Sequence, residues 1–346
     1  MNADGESRVY GPVPSRRLGM SLGINNIPAK VCPYACVYCQ VGRTSERLVE
    51  RRGFYEPEAI FGAVQNRLAS PYSGAMPADY LTLVPDGEPT LDRHLGEIIQ
   101  LLKRLPAPVG VITNAALLYR EDVRQELARA DWVSLKIDAA REAIWRKVNR
   151  PHGELRLPHI LDGMRAFAGI FSGKLVTETM LLAGLNDKDD HLAELADVVG
   201  RLHPDTAYLS IPTRPPTEHW ARPPAESRLN RAYLAFSDKV AQVEHLIGYE
   251  GDAFAYSGDV ENDILSITAV HPMREAAVRE LLSWAGAAWS LVDRLMERGD
   301  LTAVSYRGHL YYLRTFQKRS TTTTGGKPAT DGKSGRFCQQ PAGTDL

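Results

Sequence analysis

Between about residues 19 and 212, short apolar runs alternate with stretches whose apolar positions recur every three or four residues, which predicts repeated βα units around a parallel sheet. The apolar runs predict strands at 19–25, 79–84, 108–112, 132–137, 174–182 and 206–211. The periodic stretches predict helices near 57–69, 92–104, 121–129, 141–171 and 188–202, the fourth broken at Pro151 and Pro158. Within Trp132 to Asp138, Val133, Leu135 and Ile137 share one face, while Ser134, Lys136 and Asp138 share the other. Helices outside the sheet take the apolar face, so the polar set points into the concave side, where a bound ligand would satisfy it. Glu178 stands similarly among apolar neighbours of the next predicted strand.

The segments Ile211 to Pro216 and Arg222-Pro223-Pro224 are too proline-rich for a helix or central strand and read as a connection or lid. Beyond them Leu229, Tyr233, Phe236, Val240, Val243 and Ile247 recur at helical spacing and predict a helix packed on the main domain. Further on, helices around Met273 to Leu282 and Trp289 to Glu297 precede two strands, Leu301 to Tyr306 and His309 to Leu313, joined at Arg307-Gly308 as a hairpin. That order resembles a winged helix. The chain thus divides into residues 1–250, a main domain with an N-terminal extension; 251–316, a small winged-helix-like module; and 317–346, a tail. The tail holds Thr321 to Thr324, many Gly and Ser and almost no large apolar side chain, so disorder is expected there.

Composition narrows the partners little. The 346 residues are 44% hydrophobic and 24% charged, enough for a large core, and the formal net charge of -1 provides no global field for nucleic acid or anionic lipid. No apolar stretch approaches the roughly 18 to 20 residues of a membrane span, and Met1 to Glu6 lack the features of a signal peptide, so a cytoplasmic protein without membrane contact is expected. Between His271 and Phe316 there are six Arg and five acidic residues, which form no dominant basic stripe in the C-terminal module.

The candidate chemistry lies in Cys32-Pro33-Tyr34-Ala35-Cys36-Val37-Tyr38-Cys39, a C-x3-C-x2-C loop directly after the first predicted strand. Three thiolates on so short a loop can converge on one metal centre, either an iron-sulfur cluster with an open coordination position or a zinc site completed from elsewhere. The one other cysteine, Cys338, stands in the tail without companions, so no auxiliary cluster is expected.

This spacing, with an aromatic residue before the last cysteine, resembles the radical S-adenosylmethionine (SAM) superfamily. The resemblance implies an α/β fold, a partial (βα)6 TIM-like barrel, in which Cys32, Cys36 and Cys39 hold a [4Fe-4S] cluster and SAM chelates the fourth iron. The segment Asp86-Gly87-Glu88-Pro89 resembles the superfamily's Gly-Glu-Pro turn, whose acceptors receive the SAM amino group. By the same resemblance Tyr38 makes backbone contacts to adenine. Ser134, Lys136 and Asp138 meet the SAM carboxylate and ribose, and Thr113 and Asn114 add a polar pair at the rim. Gly11 to Arg17, Gly42-Arg43-Thr44 and His271-Pro272-Met273-Arg274 resemble iron-sulfur oxidoreductases near the wyosine-forming tRNA enzymes.

The implied reaction is reductive cleavage of SAM to methionine and a 5'-deoxyadenosyl radical, with an external one-electron reductant of flavodoxin or ferredoxin type. Its substrate could be an RNA base, a small molecule or a protein side chain, and no individual catalytic side chain is singled out. Arg16, Arg17 and Glu178 are candidates for substrate contact, against a surface arginine pair and a Glu178–Lys136 ion pair as structural readings. An internal salt bridge would equally account for Lys136 and Asp138, an ordinary turn for Gly87-Glu88-Pro89, and packing for Tyr38. Outside catalysis, the chain would be a metal-binding adaptor whose winged module recruits nucleic acid or protein.

Overall fold

The apolar runs become adjacent strands because a strand covered by helices on its outer face needs apolar side chains there, and short crossovers place the next strand alongside in parallel. A computed structural model describes residues 7–70, 77–248 and 250–315. Strands β1 (Val9–Ser15) to β8 (Val243–Leu246) lie in one sheet in sequence order. Between them are β2 (Gly19–Ile24), β3 (Tyr80–Leu83), β4 (Val109–Thr113), β5 (Trp132–Lys136), β6 (Lys174–Met180) and β7 (Thr206–Ser210). Strands β2 to β8 run parallel, β1 pairs antiparallel with β2, and the sheet curls into a partial barrel.

The crossover helices are α1 (Pro57–Leu68), α2 (Leu95–Leu102), α3 (Glu121–Leu127), α4 (Glu142–Val148), α5 (Leu157–Ile170), α6 (Asp189–Gly200) and α7 (Glu226–Ser237). The break expected within 141–171 falls between α4 and α5. Pro151 lies in the gap and Pro158 in the first turn of α5, where a missing N–H costs nothing. Val133, Leu135 and Ile137 are buried in the layer between sheet and helices, as their spacing requires.

Two strands depart from the expected six. The helix expected to run to Ile247 stops at Ser237, and Val243 to Leu246 instead pair in parallel with Ala207 to Ser210. The apolar spacing of Val240, Val243 and Ile247 suits a helix, but a four-residue edge strand needs only Val243 and Leu246 at its ends. β1 contains Gly11, Pro12 and Pro14, which an edge strand accommodates with a register shift between Tyr10 and Val13.

After β8 come α8 (Val260–Val270), β9 (Met273–Arg274), α9 (Glu275–Ala285), α10 (Ser290–Glu297), β10 (Leu301–Tyr306) and β11 (His309–Arg314). The last three strands form an antiparallel sheet in the order β10-β11-β9. The expected hairpin turns at Arg307 and Gly308, both with positive φ, the backbone of a type I' turn. These elements share a hydrophobic cluster with Tyr10 and Val13 of β1, and they belong to the same compact unit as the barrel. The tail 317–346, where disorder was expected, and Cys338 lie outside the described residues.

Candidate functional site

The loop after β2 is fixed through its own backbone. Cys32 N–H donates to Glu46 O, Ala35 N–H to Asn149 O and Val37 N–H to Val148 O, at 3.1, 3.0 and 2.9 Å. From the proline-rich connection after β7, Thr217 N–H donates to Cys39 O and Glu218 N–H to Val37 O, both at 2.9 Å. The loop is thereby held by three separate parts of the chain. Its thiols are free and half-buried, and all three line one cavity of about 330 Å³ at the carboxyl ends of the strands.

Burial pushes all three thiols up, and their mutual proximity adds to it for Cys32 and Cys36, with Cys36 at about 12. A positive centre is therefore needed to draw out their protons. Among the described residues, no three or more His, Cys, Asp or Glu side chains gather closely enough to hold a metal ion. Three sulfurs from one short loop, all lining one cavity, are a donor set that suits an iron-sulfur cluster. Two amides turn donors toward the sulfurs: Asn114 Nδ2 to Cys32 Sγ at 3.2 Å and Asn149 Nδ2 to Cys36 Sγ at 3.4 Å.

Gly87 of the turn after β3 bridges to Val31 beside Cys32, and Glu88 N–H donates to Val31 O at 3.1 Å. The Glu88 carboxylate is fully buried. Its Oε1 accepts from Thr90 N–H at 3.1 Å, Thr90 Oγ1 at 2.6 Å and Thr113 Oγ1 at 2.5 Å, and its Oε2 from Asn114 N–H at 2.7 Å. A carboxylate offers about four acceptor sites, so these donors leave room on Oε2 alone. Burial raises the Glu88 carboxyl above its usual range, and the four donors oppose that. Pro89 is buried in the short 3₁₀ turn behind it.

A Cβ at Gly87 would stand 2.2 Å from the Val31 carbonyl oxygen, backbone that cannot swing aside. Gly87→Ala is accordingly expected to cost about 1–3 kcal/mol by overpacking and to part the turn from the cysteine loop. A lowered melting temperature checks this, and unchanged melting would show that the two loops adjust freely.

On β6 and at and just beyond the end of β5 the inward side chains form two groups. Asp138 accepts from Met180 N–H and Asn149 Nδ2, at 2.8 and 2.7 Å, and from the Tyr38 hydroxyl. Tyr38 thus faces the cavity with its phenol tied to Asp138, while Lys136 Nζ sits 5.1 Å from its ring centroid. Glu178 Oε1 accepts from Lys136 Nζ and Ser210 Oγ, each at 3.0 Å, and Oε2 pairs with Arg17. Although burial opposes it, Lys136 and Arg17 hold the Glu178 carboxyl well below the usual carboxylate range.

The cavity brings together Cys32, Cys36, Cys39, Tyr38, Gly87, Glu88, Thr113, Asn114, Lys136 and Glu178, and it places Arg16 and Arg17 on its wall. Ser134, Asp138 and Pro89 are buried and do not line it. The sequence reading did not include Asn149 or Glu250 and gave Arg214 and His271 no role in the site, although Arg214, Glu250 and His271 also line the cavity. Asn149 joins Cys36, Tyr38 and Asp138 across more than a hundred residues, and no local spacing marks it.

The family model described as the Radical SAM superfamily matches residues 26–196. UPF0026 protein MJ1312 of Methanocaldococcus jannaschii is 42% identical over 312 residues, covering 90% of this chain and 97% of that one. The UPF0026 protein of Helicobacter pylori strain J99 is 35% identical over 60% of this chain and 67% of its own length. A solved structure of TYW1 with a lysine-pyruvate adduct bound superposes with a TM-score of 0.44 at 14% identity, over 85% of this chain and 79% of that one. With the cysteine loop, the partial barrel, the matching family model and the UPF0026 relatives together, the chain belongs to the UPF0026 family of the radical SAM superfamily and is an enzyme whose cofactors are a [4Fe-4S] cluster and SAM.

Proposed function

We propose that Cys32, Cys36 and Cys39 hold the [4Fe-4S] cluster and that the chain generates a 5'-deoxyadenosyl radical against a substrate bound in the same cavity. The observation that carries this is the convergence of three free thiols from one loop on a cavity also lined by Gly87, Glu88, Asn114 and Lys136. Held by these thiolates, a bound cluster would supply the electron that cleaves the SAM sulfonium to methionine and the radical.

The chain's own side chains position and shield. Glu88 Oε2 keeps one acceptor direction for the SAM ammonium, and the Gly87 turn offers backbone oxygens beside it. Lys136, at the end of β5, provides a cation for the SAM carboxylate. Thr113 and Asn114 close the rim, and Tyr38 offers its backbone to adenine while Asp138 fixes its phenol. Ser134 and Pro89 support this wall from behind. The segment from Thr217 to Glu218, bonded over the cysteine loop, limits access of water.

The amide donors at the sulfurs give a quantitative expectation. Outer-shell partners of metal ligands typically contribute about 10–100-fold in affinity. Asn149→Ala, which removes the donor at Cys36 together with the bond to Asp138, is expected to lose iron to a chelator about ten times faster than the parent protein. Equal rates would mean that the amide serves the fold alone.

The order α8-β9-α9-α10-β10-β11 supports a winged-helix-like module over 251–315, packed on β1. An RNA base, a small molecule or a protein side chain remains the substrate class, and the electron comes from an external flavodoxin- or ferredoxin-type protein. No described helix is long and apolar enough to cross a membrane, in keeping with a cytoplasmic enzyme. Anaerobic reconstitution with iron and sulfide, reduction, and addition of SAM test the proposal. Formation of 5'-deoxyadenosine is expected, and its absence from a fully loaded protein would overturn the reading.

A further inference from the structure

The cavity wall contains two groups of charges that differ in one respect. Arg17 and Lys136 share Glu178, and both Glu178 oxygens accept hydrogen bonds. Arg16 and Arg214 share Glu250, with nitrogen-to-oxygen distances of 3.0 and 2.7 Å to the same Oε1. Arg214 Nη2 also donates to His271 Nε2 at 2.6 Å, at the carboxyl end of α8. Each group has two cations and one carboxylate, a net charge of about +1. In the second group alone, three buried atoms have no hydrogen-bond partner on another residue among the described residues: Arg214 Nε, Glu250 Oε2 and His271 Nδ1.

The chemistry of those atoms is defined. A guanidinium can only donate, so His271 Nε2 accepts and Nδ1 carries the proton. Burial, and then the charge of Arg214, pushes the imidazole down to about 3, which keeps it neutral. His271 is 7% exposed and the Glu250 side chain 6%, so these atoms are largely withdrawn from bulk water. Two unused N–H donors beside an unbalanced cation call for anionic oxygens, and the unused Glu250 oxygen calls for a hydroxyl or ammonium next to them.

We propose that Arg16, Arg214 and His271 bind an anionic oxygen group of the substrate, a carboxylate or a phosphate, while Glu250 receives a donor from the same molecule. This rests on the cavity being the SAM-dependent active site and adds the substrate's chemical class. It also gives the C-terminal elements a task. The Tyr306 and Tyr311 hydroxyls donate to Pro212 O and Thr213 O, both at 3.0 Å, and so hold the segment that presents Arg214. These elements build one wall of the subsite.

Calorimetric titration of the reconstituted protein in the presence of SAM, with inorganic phosphate and separately with acetate, tests the assignment. One saturable site is expected, and the better of the two anions identifies the group. Arg214→Gln is expected to weaken binding about tenfold, the equivalent of about 1.4 kcal/mol, whereas Glu250→Gln, which adds a net positive charge, is expected to tighten it. Saturable binding of neither anion, or a shift of the same sign or no shift in both variants, would overturn the proposal. Iron content, SAM binding and 5'-deoxyadenosine are measured in the same samples. A loaded, SAM-cleaving protein without anion binding rejects this subsite alone, and anion binding without 5'-deoxyadenosine rejects the radical reading alone.

Discussion

Replacement of Cys36 by alanine is expected to abolish 5'-deoxyadenosine formation and to lower cluster content more than about a hundredfold in retention, beyond the loss from an outer-shell change. The reasoning is geometric. The three thiols come from one loop whose backbone is pinned by Glu46, Asn149, Val148 and Thr217, so no other cysteine among the described residues stands ready to replace a missing ligand. The variant should nevertheless fold, because the Cys36 thiol is half-buried and most of the loop's anchors are backbone bonds. Iron analysis, visible absorption and product chromatography check the outcome alongside circular dichroism. A variant that folds, keeps its iron and forms 5'-deoxyadenosine would remove Cys36 from the cluster.

Much of this site could be read before the fold was known, and the reason is locality. Three thiols within eight residues, and a Gly-Glu-Pro turn at the end of a strand, carry their chemistry in adjacent positions. The inward set on β5 was legible because a strand's alternation assigns its faces, and the pairing of Glu178 with Lys136 follows from the register of neighbouring parallel strands. Of the anion-binding group only Arg16 was singled out from the sequence. Arg16, Arg214, Glu250 and His271 come from four distant connections, and only the curling of the sheet brings the turn before β2 to the segment after β8. Glu88 shows a subtler limit: spacing marks the residue, whereas its use as a brace between the β3 and β4 loops depends on Thr90, Thr113 and Asn114. The edge strands β1 and β8 were missed for a related reason, since an edge strand has a free side and tolerates prolines or brevity that an interior strand does not.

Glu178→Ala is expected to produce the largest loss of stability among changes at the cavity. Removing one carboxylate leaves Lys136 and Arg17 facing each other without their shared partner, in side chains only 21% and 16% exposed. Breaking a buried pair in this way costs about 3–5 kcal/mol, and partial solvation through the open cavity brings the expected figure to about 3 kcal/mol. For a chain of this size that corresponds to a fall in melting temperature of about 4 °C. The pH dependence has a definite sign. Lys136 and Arg17 depress the folded carboxyl of Glu178, so its contribution is fully present above the unfolded value of about 4.3 and is lost as pH falls below it toward the depressed value. The melting difference between parent and variant should therefore stay constant from about pH 8 to pH 5 and narrow only in more acid solution. Thermal melts of the metal-free proteins across that range measure it. A variant melting within about 1 °C of the parent at pH 7, a deficit below about 1 kcal/mol, would mean that cavity water solvates both cations without Glu178.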